Sequence, residues 1–131
     1  MEEGLKLYIA KTLFEIERLA DRKVPFHFRG KDYSDAPMGK LIEVFRKLND
    51  NADLHRRLGK YKNERNHVAH KAVAEYYSEA NKNPKNRAKL LKRLKVVADE
   101  GYSLSDEILE ELQNVKLACE MARWEKRNRR S

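Results

Sequence analysis

The chain has 131 residues, the length of one ordinary domain. Charged residues make up 38% of it and hydrophobic residues 40%, a composition typical of a soluble helical protein, and no apolar run approaches the roughly 20 residues that span a bilayer. The sequence opens with two acids rather than a signal peptide, and its single cysteine cannot form an internal disulfide, so we expect a cytoplasmic protein.

The first half of the chain predicts two helices joined by a loop. The first helix carries an apolar stripe at helical spacing, made of Leu5, Ile9, Thr12, Ile16 and Leu19. Pro25 is expected to end it, because a proline disfavours the helical conformation of the residue before it. Residues 26–37 are interpreted as a connecting loop that contains Gly30. The second helix is marked by Met38, Leu41, Ile42, Phe45 and Leu48, and it is expected to end at the polar run 49–51.

The second half predicts two or three further helices. A third helix should run from about Ala52 to about Tyr77. Residues 81–86 form a polar break, and a basic fourth helix follows with Leu90, Leu91, Leu94 and Val97 on its apolar side. Gly101 is expected to close that helix, and Ser103 or Ser105 to cap a fifth. The sequence therefore predicts an all-α fold, a four- to five-helix up-and-down bundle over residues 1–124, with a frayed basic tail at 125–131.

The net charge of +8 is concentrated in two segments. Residues 82–95 hold seven basic side chains and no acid, and residues 123–130 hold five basic side chains and one acid. Such patches attract a polyanion, and RNA is the partner we expect. The alternative is a solvated helix face and a tail that only aids solubility.

Arg65 interrupts the apolar stripe of the third helix, which continues from Leu58 to Val68. An unpaired buried charge costs several kcal/mol, so Arg65 is expected to face either a paired position in the core or an interface. His70 lies about 140° round the helix from Arg65, and Asn66 is one turn before His70. A cation, an amide and an imidazole are the groups needed to bind a phosphodiester and to move protons around it. The alternative is a paired structural arginine beside a structural histidine.

The arrangement Arg65-Asn66, three residues, His70 inside the third helix of a small bundle resembles the Arg-polar-(spacer)-His motif of the HEPN superfamily. The resemblance implies a HEPN-like bundle that acts as a metal-independent endoribonuclease of toxin–antitoxin or antiphage-defence type, without a cofactor. Arg65 would bind and polarise the scissile phosphate, Asn66 would support that site, and His70 would transfer the proton while a ribose 2′-hydroxyl attacks. A homodimer in which two motifs meet is also implied, as is an antitoxin or defence-system partner. The subgroup paired with nucleotidyltransferase antitoxins tends to carry a tyrosine where this chain has Ala72.

Five further residues are predicted to contact RNA: Lys62, His67, Lys89, Lys92 and Arg93. A di-metal site is a weaker interpretation, because Glu64, His67 and His70 are spaced by three but the sequence offers no second carboxylate–histidine pair, so we predict no metal. The main alternative to an enzyme is a non-catalytic nucleic-acid-binding or protein-interaction module that uses residues 82–95 and the basic tail.

Overall fold

The computed structural model describes residues 1–19, 29–76 and 84–129. Four α-helices account for most of these residues: α1 (Glu2–Leu19), α2 (Met38–Leu48), α3 (Ala52–Tyr76) and α4 (Pro84–Arg129). A short 3-10 helix, Gly30–Tyr33, precedes α2. Every regular element in the described ranges is helical, which confirms the all-α prediction. Pro25 and Tyr77 lie outside the described residues, as does the part of the predicted polar break before Pro84.

The chain divides into two compact units. The first unit comprises Met1–Asp50 and Ser105–Ser131, and the second comprises Asn51–Leu104. Helix α4 contributes its first part to the second unit and its remainder to the first. Residues 125–129, predicted as a frayed tail, continue α4 as helix to Arg129, whereas the predicted domain boundary at residue 124 stays a prediction.

The core of the first unit is built from apolar faces of α1, α2 and the second part of α4. Its fully buried side chains include Leu5, Tyr8, Ile9, Leu41, Phe45 and Ile108. The Tyr8 and Phe45 rings meet edge to face, with centroids 4.7 Å apart, a favoured aromatic geometry. Gly30 makes room for the 3-10 helix against α1, because a Cβ at that position would overlap Ala10.

A buried polar network joins the three helices of the first unit. The Tyr8 hydroxyl donates to the Leu48 carbonyl oxygen at 3.2 Å and accepts a hydrogen bond from Asn49 Nδ2, also at 3.2 Å. Asn49 Nδ2 donates in addition to Glu111 Oε2 at 3.0 Å. Burial raises the pKa of the Tyr8 hydroxyl, so the group stays protonated and keeps donating. Asn49, predicted only as a helix-ending residue, is therefore a buried link between the end of α2 and α4.

The second unit pairs α3 with the first part of α4. Helix α3 begins where Asn51 Oδ1 accepts the backbone N–H of Leu54 at 3.1 Å, the bond expected of an N-cap asparagine. In its first turn Asp53 accepts hydrogen bonds from Arg56 at 2.7 Å and from Arg57 at 2.9 Å. The buried apolar residues of this unit are Leu54, Leu58, Val68 and Leu104. The predicted third helix is thus confirmed from Ala52 to Tyr76, and its predicted end at Tyr77 lies outside the described residues.

The prediction that Gly101 ends a helix is wrong. Gly101 is buried inside α4, and Ser103 and Ser105, predicted as caps, are helical. A Cβ at Gly101 would lie 2.8 Å from Tyr61 Oη and 3.2 Å from Tyr61 Cζ. The glycine therefore allows α3 and α4 to approach each other inside the second unit. A glycine in a helix interior lowers stability by about 1 kcal/mol relative to alanine. The predicted fourth and fifth helices are one helix.

Candidate functional site

The segment from Glu64 to His70 lies wholly within α3, in the second unit. Arg65, Asn66 and His70 are all exposed, and so is His67. A core position for Arg65 is therefore wrong, although Val68, one turn further on, is 1% exposed. Arginine can lay its methylene stem along an apolar surface while the guanidinium stays in water, so a stripe position does not require burial of the charge. The motif therefore lies on the surface of α3.

One face of α3 carries His70 together with Asn66, Lys62 and Val73, which we call the His70 face. Asn66 lies about 40° from His70 round the helix, and Val73 lies about 60° from His70 on the same side as Asn66. Lys62 is half-buried, and Val73 is 58% exposed. An amide, an imidazole and an ammonium group thus share one surface of the helix with an exposed apolar side chain.

A groove runs between α3 and the first part of α4 inside the second unit, and we call it the α3–α4 groove. Its volume is about 430 Å³. Three valines and four charged side chains line it, namely Val68, Val96, Val97, Glu64, Lys89, Lys92 and Arg93. Arg93 Nη2 lies 3.9 Å from Glu64 Oε2, and both side chains are about half exposed, so this ion pair is weak. Three cations against one carboxylate leave the groove positive.

The structure brings three of the predicted RNA-binding residues, Lys89, Lys92 and Arg93, to this one groove. Arg65 lies about 60° round α3 from the groove residue Val68, so it borders the groove. His70 lies about 160° from Val68 and therefore faces away from the groove. The groove and the His70 face are two surfaces of the same helix, with Arg65 between them.

Sequence reasoning missed a second set of cations along the same pair of helices. A neighbouring cavity shares Glu64, Val96 and Val97 with the groove and extends it along α3 past Arg56, Arg57 and Lys60. The signal was present in the sequence, because Arg57, Lys60 and Glu64 follow one another at three- and four-residue spacing and so share a helix face. The cationic surface is longer than the three predicted residues.

Three findings concern other kinds of site. Across residues 1–19, 29–76 and 84–129, no group of three or more His, Cys, Asp or Glu side chains is arranged to hold a metal ion. None of the helices in those ranges combines the length and the apolar character that a membrane crossing requires. Cys119 is partly exposed, and burial and Glu15 raise the pKa of its thiol, which disfavours the nucleophilic thiolate.

Comparison of the chain with protein-family models, with curated proteins and with solved structures finds no match.

Proposed function

We propose that this chain is a metal-independent endoribonuclease of toxin–antitoxin or antiphage-defence type, with Arg65, Asn66 and His70 as its catalytic residues. The observation that carries the proposal is the exposure of all three residues on one unbroken helix, with Arg65 bordering a groove lined by Lys89, Lys92 and Arg93. Cleavage of RNA without a metal needs groups that bind the phosphate and transfer protons. An exposed cation, an amide and an imidazole near a surface that attracts phosphates supply these groups.

The reaction needs one nucleophile, which RNA itself supplies. The 2′-oxygen attacks the adjacent phosphorus and forms the new P–O bond, while the bond from phosphorus to the 5′-oxygen breaks. His70 accepts the 2′-hydroxyl proton or protonates the leaving 5′-oxygen, and water makes the other of these two proton transfers. Arg65 donates hydrogen bonds to the non-bridging oxygens, where negative charge develops. Asn66, one turn from His70, holds the same phosphate or orients the imidazole. The products are a 2′,3′-cyclic phosphate and a 5′-hydroxyl.

The directions of Arg65 and His70 favour a homodimer. The two side chains diverge by about 140° on α3, so one helix does not aim both easily at one phosphorus atom. Two copies related by a two-fold axis can place Arg65 of one copy beside His70 of the other. The exposed Val73 on the His70 face offers apolar area for such an interface. An antitoxin or defence-system partner would inhibit the protein by covering this surface. We expect the protein to act on RNA in the cytoplasm.

The test is cleavage of total RNA by the purified full chain in the presence of EDTA. Wild-type protein should cleave and leave cyclic phosphate ends, and His70→Ala should lower the rate by about 10²- to 10⁴-fold, the range that a general acid–base group contributes. Lys71→Ala, at the neighbouring exposed position of α3, is the matched control and should keep most of the rate. Cleavage that requires a divalent cation, or that survives His70→Ala, contradicts the proposal.

A non-catalytic nucleic-acid-binding module is the second candidate, and the cations of the α3–α4 groove are the observation that favours it. In that case no cleavage is found, and His70→Ala leaves RNA affinity unchanged. Substitution of Lys89, Lys92 and Arg93 then removes the only measurable activity.

A further inference from the structure

A second cation-lined cavity lies in the first unit, where the end of α1 meets the last turns of α4. Its volume is about 370 Å³, within the range of small-ligand sites. We call it the Arg18 cavity, and its lining residues are Arg18, Leu19, Arg123, Lys126 and Arg127. None of them belongs to the motif on α3 or to the α3–α4 groove.

Glu15 is the carboxylate that two of these cations share. Arg123 Nη2 lies 3.6 Å from Glu15 Oε2, and Arg18 Nη1 lies 3.8 Å from Glu15 Oε1. Both distances exceed the roughly 3 Å of an N–H···O hydrogen bond, so each guanidinium keeps N–H donors for another acceptor. Glu15 itself is only 14% exposed, which sets it behind the cations. Among the described residues, one carboxylate stands against four positive charges, so this part of the cavity is positive.

The position of these cations also has a structural cause. Arg18 lies in the last described turn of α1, and Lys126 and Arg127 lie in the last described turn of α4, where the helix dipole stabilises cations. The same dipoles disfavour an anion, so attraction of an anion to this cavity must come from the four side chains alone.

We propose that the Arg18 cavity binds phosphate groups, with the backbone of single-stranded RNA as their source. Guanidinium groups match phosphate oxygens with paired N–H donors, and Lys126 adds a further positive charge. The site would hold RNA at a second point of the chain. The proposal does not rest on the endoribonuclease function, because it involves neither Arg65 nor His70.

Trp124 offers a fluorescence readout for the same part of α4. It is the single tryptophan of the chain, it lies between Arg123 and Lys126 in sequence, and it is 63% exposed. The first probe is a short 2′-O-methyl oligouridine, which has no free 2′-hydroxyl and cannot be cleaved by internal attack. The second probe is inorganic phosphate, titrated against chloride at constant ionic strength. Trp124 emission and probe anisotropy are followed for the full chain.

The test variant is Lys126→Gln with Arg127→Gln, two exposed positions near the end of α4. The control is Lys40→Gln with Lys47→Gln, which removes the same charge from exposed positions of α2 in the same unit. Loss of two contacts to single-stranded RNA should reduce the slope of log K against log salt by about 1.4 and lower affinity at 0.1 M salt by about 25-fold. Arg123→Gln should act in the same direction.

Each outcome has a defined meaning. A loss confined to the test variant with the oligouridine supports the proposal with RNA as the source. A loss confined to the test variant with inorganic phosphate alone supports the phosphate site with a small phosphate as its ligand. If test and control variants behave alike with both probes, the cavity does not bind phosphate and the proposal is overturned.

Discussion

Gly101→Ala probes the contact that sets the spacing of α3 and α4, and hence the width of the α3–α4 groove. In a helix interior the change by itself gains about 1 kcal/mol of stability. The added Cβ would lie 2.8 Å from Tyr61 Oη, 3.2 Å from Cζ and 3.4 Å from Cε2. Overpacking of this kind typically costs about 1–3 kcal/mol. The net expectation is a loss of about 1 kcal/mol in the free energy of unfolding, measured by urea denaturation.

Two companion variants separate the possible causes of that loss. Gly4→Ala places its Cβ 3.8 Å from Ile108 Cγ2, an ordinary contact, so it should stabilise by up to about 1 kcal/mol. Tyr61→Phe removes the closest atom, so Gly101→Ala should cost less in the Tyr61→Phe background, with a coupling energy above about 0.5 kcal/mol.

The refuting results are distinct. If Gly101→Ala stabilises as much as Gly4→Ala, the close contact with Tyr61 does not exist. If it destabilises equally with Tyr61 and with Phe at that position, the Tyr61 hydroxyl does not cause the loss, and the helix end that the sequence predicted at Gly101 would account for it instead. No glycine in the described ranges has a positive φ, so we expect the rescue.

Three further predictions concern the fold and the groove. Arg56 and Arg57 lower the pKa of Asp53, so the charged carboxylate stabilises the folded state above the pKa of the unfolded chain, and this stabilisation is lost as pH falls through the lowered folded pKa. Asp53→Asn should therefore reduce the melting temperature at pH 7. The melting temperatures of the wild type and the variant should converge below about pH 4. Asn49→Ala removes buried hydrogen bonds to Tyr8 and Glu111 and should cost about 2 kcal/mol in urea unfolding, where a loss under about 0.5 kcal/mol contradicts the network. Replacing Lys89, Lys92 and Arg93 by Gln should reduce the salt slope of binding to uncleavable single-stranded RNA by about 2, and an unchanged slope excludes the groove as an RNA contact.

Local patterns in the sequence were enough to predict most of the helical structure. The α2 stripe, including Leu41 and Phe45, is buried as its spacing predicts. The regular stripe after the polar run 49–51 predicted the start of α3, and the structure adds the Asn51 cap, which the sequence analysis had not identified. Helices could be predicted wherever residues close to one another in the sequence determine them.

Contacts between distant residues account for what the sequence did not reveal. Gly101 looked like a helix end because its partner, Tyr61, is forty residues away in the chain. For the site, spacing gave the directions of Arg65 and His70 round α3, since direction depends only on residue number. Spacing did not reveal that Arg65 would be exposed, because the burial of a residue on α3 depends on how far the neighbouring helix extends over it. The cations of the Arg18 cavity come from opposite ends of the chain, and no local pattern joins them.

The central claim is that Arg65 of one copy and His70 of another complete one cleavage site. It is tested most directly by mixing two inactive variants, Arg65→Ala and His70→Ala, and measuring RNA cleavage in EDTA. In a freely exchanging mixture half of the dimers pair the two variants, and each of these has one intact site of two, so activity should return to about a quarter of the wild-type level. Each variant alone, at the same total concentration, should stay inactive. A mixture that remains as inactive as its components contradicts a site shared between copies in this way.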